Sequence, residues 1–259
     1  GLGQMYFKTY VPDDNFETYL EVNGMGDGIQ LNDSIYTLSI EMLMYLDVSN
    51  QNISDLTGIE DFTALIELAC SHNQLTTLDV SNNTLLEFLN CSDNQLSSID
   101  VSGAVALKEF FPEDNLLTSL DLTNNVNLIE IECKNNQIQC LDVSNLLYPC
   151  ELLVNNNLLE ELIIDNAVVG LDATNNNLTC IQVANPSISF PYALSTDIGV
   201  VFNANCSYTN LCNSSTSIQE HSTNKELLKV TDLLGRETKQ TNQPLFYIYD
   251  DGTVEKRIV

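Results

Sequence analysis

Carboxylates recur along this chain at a fixed interval, and they are the first candidates for chemistry. Glu109, Glu130 and Glu151 stand 21 residues apart, and Glu67 and Phe88 continue the row backwards. Two residues on, a second row runs Ala69, Asn90, Phe111, Glu132, Leu153. A third runs Ser71, Ser92, Glu113, Lys134, Asn155. Paired glutamates invite a glycosidase reading, but that chemistry needs one carboxyl group with a raised pKa in an enclosed site. A glycan-active enzyme is therefore a remote alternative. Only two histidines exist, His72 and His221, with no nucleophile beside either in a known arrangement. No glycine-rich phosphate loop is present. No enzyme activity and no cofactor are expected. A fourth row, Asp79, Asp100, Asp121 and Asp142, offers hard oxygen ligands that suit calcium. The same carboxylates could instead accept hydrogen bonds from Ser81, Ser102, Thr123 and Ser144 two residues on.

The interval itself says what positions these side chains. The frame Leu65-x-x-Leu68-x-Cys70-x-x-Asn73-x-Leu75-x-x-Leu78-Asp79-Val80 recurs with Asn94, Asn115 and Asn136, then with Asn157 and a shortened frame at Asn176. A leucine pattern with a period in the low twenties is the signature of a leucine-rich repeat solenoid. One coil cannot bury its own apolar edge, so stacking makes the core. In each frame Leu68 and its equivalents alternate with outward residues, which predicts a short strand per coil. Leu68, Leu89, Phe110, Ile131 and Leu152 are predicted inside. The three rows opened above face outward, on the concave parallel sheet. The frame asparagine ends the strand, and its amide can satisfy turn backbone groups that the coil buries.

A first coil, Leu43, Leu46, Val48, Ile53 and Leu56, carries Gln51 in place of asparagine. Residues 1–42 before it are expected to cap the solenoid with a short helix around Phe16, Tyr19 and Leu20, started by Asp14 or Asn15. The solenoid is assigned to 43–183 and a second cap to 184–212. The fold class is thus an α/β solenoid, mostly β, of about seven right-handed coils. Cys70, Cys91 and Cys133 share one frame position and read as small buried hydrophobes, although a Cys70–Cys91 bond is not excluded. Cys180, Cys206 and Cys212 gather at the far end. A Cys180–Cys206 disulfide would fasten the cap there, and Cys180–Cys212 would serve the same purpose. Cys140 and Cys150 fit a pair or free thiols equally.

The net charge is -27, yet it is unevenly spread. Before residue 213 the only basic side chains are Lys8, Lys108 and Lys134, against 29 acidic ones, while 213–259 is near neutral. Phosphate-backbone binding needs Lys and Arg, so a nucleic-acid partner is excluded. Anionic lipid is disfavoured for the same reason. Basic partners or divalent cations suit the acidic body. No apolar run reaches the length of a membrane span. The opening Gly1–Gln4 fits either the stub of a signal peptide or a truncated start. The charge break at 213, and the Ser/Thr-rich residues of 213–224, mark a linker to a module at 225–259. That module has two β-rich runs joined by an Asp251-Gly252 turn.

The repeat unit at Leu68–Asn83 resembles the Cys-bearing repeats of internalin-type bacterial surface proteins. The openings Tyr10-Val11-Pro12-Asp13-Asp14-Asn15-Phe16 and Gln51 to Glu60 resemble the start of such proteins in Bacteroidota. Val230 to Arg236, with Pro244 to Lys256, resembles the C-terminal sorting domain of type IX secretion cargo, a small β-sandwich-like module. The resemblance implies export to the outer surface or medium and a partner in the secretion machinery.

The rows then point to one surface. Phe88 and Phe111 are neighbours among carboxylates, and aromatics on a rigid strand face anchor partners well. The candidate binding residues are Phe88, Phe111, Glu109, Glu130, Glu132, Lys134 and Leu153, for an unknown protein or glycan met by a monomer. The bland reading is surface scatter on a structural or spacer protein of the envelope.

Overall fold

The computed structural model describes residues 7–164, 167–184 and 194–208, together with three strands between 227 and 258. It divides into two compact units, Gly1–Cys212 and Asn213–Val259.

The first unit is a mostly β parallel solenoid. One eight-stranded sheet takes a strand from each coil: Tyr45–Asp47, Glu67–Ala69, Phe88–Asn90, Glu109–Phe111, Glu130–Glu132, Cys150–Leu153, Val168–Ala173 and Leu194–Thr196. Register follows the repeat, with Glu67 opposite Phe88, Phe88 opposite Glu109 and Glu109 opposite Glu130. Across the coil, Thr77–Asp79 pairs with Ser98–Asp100, and a four-stranded sheet joins Cys140–Val143, Glu161–Ile164, Cys180–Val183 and Val201–Asn203. The core lies between these layers. Leu68, Leu89, Phe110, Ile131 and Leu152 all have 0% exposure, each contributing roughly 1.5–3 kcal/mol of apolar burial.

The frame asparagines tie coil to coil. The Asn94 amide donates to the carbonyls of Cys70, Cys91 and Ser92, and its oxygen accepts from the Leu75 N–H at 3.0 Å. Asn115 repeats this with Cys91, Pro112, Glu113 and Leu96, and Asn136 with Pro112, Cys133, Lys134 and Leu117. Each side chain therefore satisfies the turn of its own coil and the turn of the coil before it. The residues preceding the asparagine (His72, Asp93, Asp114, Asn135, Asn156 and Asn175) all sit at φ of 53–57°, a conformation that Asn and Asp tolerate.

The ends differ from expectation in two respects. The helix runs Asp14–Val22, and its cap is Asp13, not Asp14 or Asn15. Asp13 Oδ1 accepts from the N–H groups of Asn15 and Phe16, and Oδ2 accepts from Ser54 N, Ser54 Oγ and Asp55 N. Burial alone would raise this carboxyl, but the bonds from Ser54, Phe16 and Asn15 hold it below the usual range. A short antiparallel pair, Lys8–Tyr10 with Ser34–Tyr36, completes this end.

At the other end, the segment expected as a cap carries one more coil. Leu194–Thr196 pairs with Val168–Ala173, and Val201–Asn203 pairs with Cys180–Val183, both parallel. Leu194 stands opposite Leu171 and Phe202 opposite Ile181, but a longer step and Gly199 in the place of the frame asparagine break the repeat in the sequence. Cys180 and Cys206 are joined by a disulfide, and the Tyr208 hydroxyl donates to the Leu162 or Cys180 carbonyl while accepting from the Gln182 N–H at 2.9 Å. Residues 185–193 lie outside the described residues.

The second unit, taken by itself, is an antiparallel sheet of Leu227–Thr231, Pro244–Tyr249 and Val254–Ile258, with Pro244–Tyr249 central. The linker 213–224 and the Asp251-Gly252 turn lie outside the described residues, as do Gly1–Gln4 and Cys212. No helix among the described residues is long and apolar enough to cross a membrane.

Candidate binding face

The outward residues of the eight-stranded sheet form one surface whose side chains are set by strand alternation. Phe88 and Phe111 lie diagonally on neighbouring strands, their rings 5.4 Å apart and tilted by 51°. Each is half-buried against the other and against the sheet rather than fully exposed. Glu109 and Glu130 are direct register partners, and Glu151 is opposite Glu130. Adjacent strands are about 4.8 Å apart, so these carboxylates repel. Partial desolvation, then the charges of Glu132, Glu109 and Glu151, raise the Glu130 carboxyl above its ordinary value.

Glu132 and Lys134 occupy the next two outward positions, and the lysine is ion-paired to Glu132. The pair largely neutralises itself. Of the seven candidate residues, Glu132 and Lys134 thus form a bound couple, while Glu109 and Glu130 keep their charge free for a partner. The other two lysines of the first unit are also taken. Lys8 contacts Asp27 at 2.6 Å and Lys108 contacts Glu87 at 2.7 Å. The row Glu109, Glu130, Glu151 has no cation of its own among the described residues.

Leu153 lies two strands from Phe111 and lines a depression of about 680 Å³ together with Pro149, Glu151, Gly170, Leu171 and Asp172. Its origin is local. Pairing of Cys150–Leu153 with Val168–Ala173 shifts register between Cys150 and Glu151, so that Val169 is an extra residue and Gly170 falls opposite Glu151. Where the three preceding coils carry glutamate, this one carries no side chain. Sequence reasoning named Leu153 but passed over Gly170 and Asp172. The signal was the shortened frame ending at Asn176, which has two residues fewer than its neighbours.

The other candidate chemistries resolve differently. Each aspartate of the row Asp79, Asp100, Asp121, Asp142 accepts the N–H two residues on, at 2.8–2.9 Å, in a closed turn. A smaller depression of about 300 Å³ by Asp55, Thr57, Glu60 and Asp79 is edged by carboxylates already engaged by Thr57, Gly58 and Ser81. Cys70, Cys91, Cys133 and Cys150 are buried free thiols, so neither a Cys70–Cys91 nor a Cys140–Cys150 bond is formed. Burial pushes Cys70 and Cys133 up to about 12, which leaves them protonated packing groups rather than nucleophiles.

A parallel solenoid with one strand of its long sheet per coil, a leucine-lined core and an asparagine recurring at the turns is a leucine-rich repeat protein. No family model matches the chain. Its internalin-like character comes from a direct similarity: 78 residues, 30% of this chain, are 42% identical to internalin J of Listeria monocytogenes serotype 4b, strain F2365. Internalin J of serovar 1/2a, strain EGD-e, is 36% identical over the same length. The matched stretch spans 8–9% of those relatives. Among solved structures, the leucine-rich repeat domain of APL1B superposes with a TM-score of 0.52 at 18% identity, over 64% of this chain and 57% of that one. Internalin C2 of L. monocytogenes F2365 gives 0.50 at 18% identity, over 77% of this chain and 100% of that one. These two likenesses concern the fold.

Proposed function

We propose that this chain is a secreted or cell-surface leucine-rich repeat protein that binds a protein or glycan partner through the outward face of its long sheet. The observation that carries this is the Phe88–Phe111 pair set beside the cation-free row Glu109, Glu130 and Glu151. Aromatic area supplies affinity on burial, and uncompensated carboxylates steer a basic partner and repel anionic surfaces. Glu132, Lys134 and Leu153 extend the same surface. The chain acts as a binding module, not an enzyme, and works as a monomer. The resemblance of residues 225–259 to type IX sorting domains supports export by that route, with the secretion machinery as a second partner.

The test begins with a screen of the full chain against host and algal surface material. For a partner so found, Phe88→Ala with Phe111→Ala should cost on the order of 2 kcal/mol of affinity, measured by calorimetry. Glu130→Lys should chiefly slow association, an effect that raised salt masks. An affinity untouched by both changes would reject this face. Absence of any partner across the screen would favour the spacer role.

A further inference from the structure

Resting on the reading that the sheet face holds a partner, we propose that the depression beside Gly170 receives the side chain of a lysine or arginine presented by a polypeptide. The site has two chemistries. Its lining is apolar at Pro149, Leu153 and Val169 and acidic at Glu151 and Asp172, the Asp172 Oδ1 already accepting from Thr174 N and Oγ1 and its Oδ2 remaining. Lysine and arginine have the matching form, an aliphatic stem with a cationic tip, and they lay the stem on apolar surface while the head stays at the edge. A purely apolar side chain would bring the rim carboxylates against hydrocarbon. An anionic one would meet the whole row of Glu109, Glu130 and Glu151.

Charge points the same way. Lys8, Lys108 and Lys134 are committed to Asp27, Glu87 and Glu132, so among the described residues of the first unit no basic side chain is free to sit beside Glu151. Glu151 also adjoins Glu130, so a cation at the rim relieves the repulsion along the row. Phe111 lies two strands away, roughly 10 Å by strand spacing. A polypeptide crossing the strands can place an apolar residue on the Phe88–Phe111 pair and its basic residue here.

Gly170 gives a clean way to close the site. A Cβ there would meet Glu151 Cγ at 3.4 Å and nothing nearer. Gly170 is also not among the glycines at positive φ. Valine is therefore compatible with the backbone and suits a strand. The experiment titrates the full chain with N-acetyl-arginine methylamide, N-acetyl-lysine methylamide and N-acetyl-norleucine methylamide, reading NMR shifts of the Leu153 methyls and the Gly170 amide. Both cationic fragments should give saturable shifts, and the norleucine fragment should bind roughly fivefold more weakly or worse. Gly170→Val should abolish the shifts at Leu153 with its melting temperature intact. If valine disturbs folding, Gly170→Ala is read instead and should weaken binding. Equal binding by norleucine, unchanged binding to the filled variant, or no saturable shift with any fragment would overturn the inference. The broader reading fails separately. A partner that depends on Phe88 and Phe111 but ignores Gly170→Val would sink this inference alone. Fragment binding with no dependence of any partner on the phenylalanines would do the reverse.

Discussion

At the scale of single residues, the face is a compromise between charge and burial, and Glu113 shows its cost. Its carboxyl is raised first by desolvation and further by Glu132 and Asp114, against lowering by its own backbone N–H and by Lys134. One of its oxygens is enclosed with no hydrogen-bond partner among the described residues. A carboxyl whose folded-state value is raised binds its proton more tightly when folded, so ionising it weakens the fold. Stability should rise as pH falls through the raised value, and the gain should be complete below the unfolded value. Glu113→Gln should capture that gain at pH 7, raising the melting temperature on the order of 2 °C. The difference from the parent should vanish near pH 4. A scan of both proteins across pH 4–8 checks it. Glu113 was placed in its row by counting from the frame, but its enclosure was not legible. Enclosure depends on how the neighbouring side chains pack, a choice between rotamers that no periodicity encodes.

At the scale of elements, the strands and their facing were legible because alternation and a 21-residue step leave one register that buries Leu68, Leu89, Phe110, Ile131 and Leu152 together. The helix start was less so. Asp13, Asp14 and Asn15 are all good caps, and the decision fell to Ser54 and Asp55, about forty residues away, whose N–H groups complete the Asp13 shell. Asp13→Ala should therefore cost about 2 kcal/mol in urea unfolding, from the cap and the tie to the first coil together. Its carboxyl is lowered in the folded state, so its contribution stands above the ordinary value of 3.8 and is lost as pH falls below it. The parent and the variant should converge in acid. At the opposite end, the added coil at Leu194–Asn203 was hidden although Leu194 stands opposite Leu171 and Phe202 opposite Ile181. The step to Leu194 is longer than the 21-residue period, and Gly199 takes the place of the frame asparagine.

At the scale of the whole molecule, the charge break at 213 and the compact-unit boundary after Cys212 fall at the same place. Deleting 213–259 should leave the melting of the first unit unchanged, and under the export reading it should block surface delivery in the native host. A drop of many degrees on deletion would instead make the tail part of the fold. Fold class was legible from one motif repeated. The depression by Gly170 was marked only by the shortened frame ending at Asn176, and the register shift itself is not recorded by a pattern of leucines.

The asparagine ties also run in one direction. Asn94 reaches the Cys70 carbonyl and the Leu75 N–H of the coil before it, Asn115 those of Cys91 and Leu96, and so on to Asn176, which serves Val154 and Leu159. A coil is thus finished only when the asparagine of its successor arrives. In a chain growing from its N-terminus, each turn would find its last partners only after about one further repeat of polypeptide. The turn at Asn175 and Asn176 is met in the same sense by the added coil, whose Asp197 carboxylate receives both N–H groups. Duplication of whole repeats upstream would lengthen the sheet and leave each new turn met by its successor.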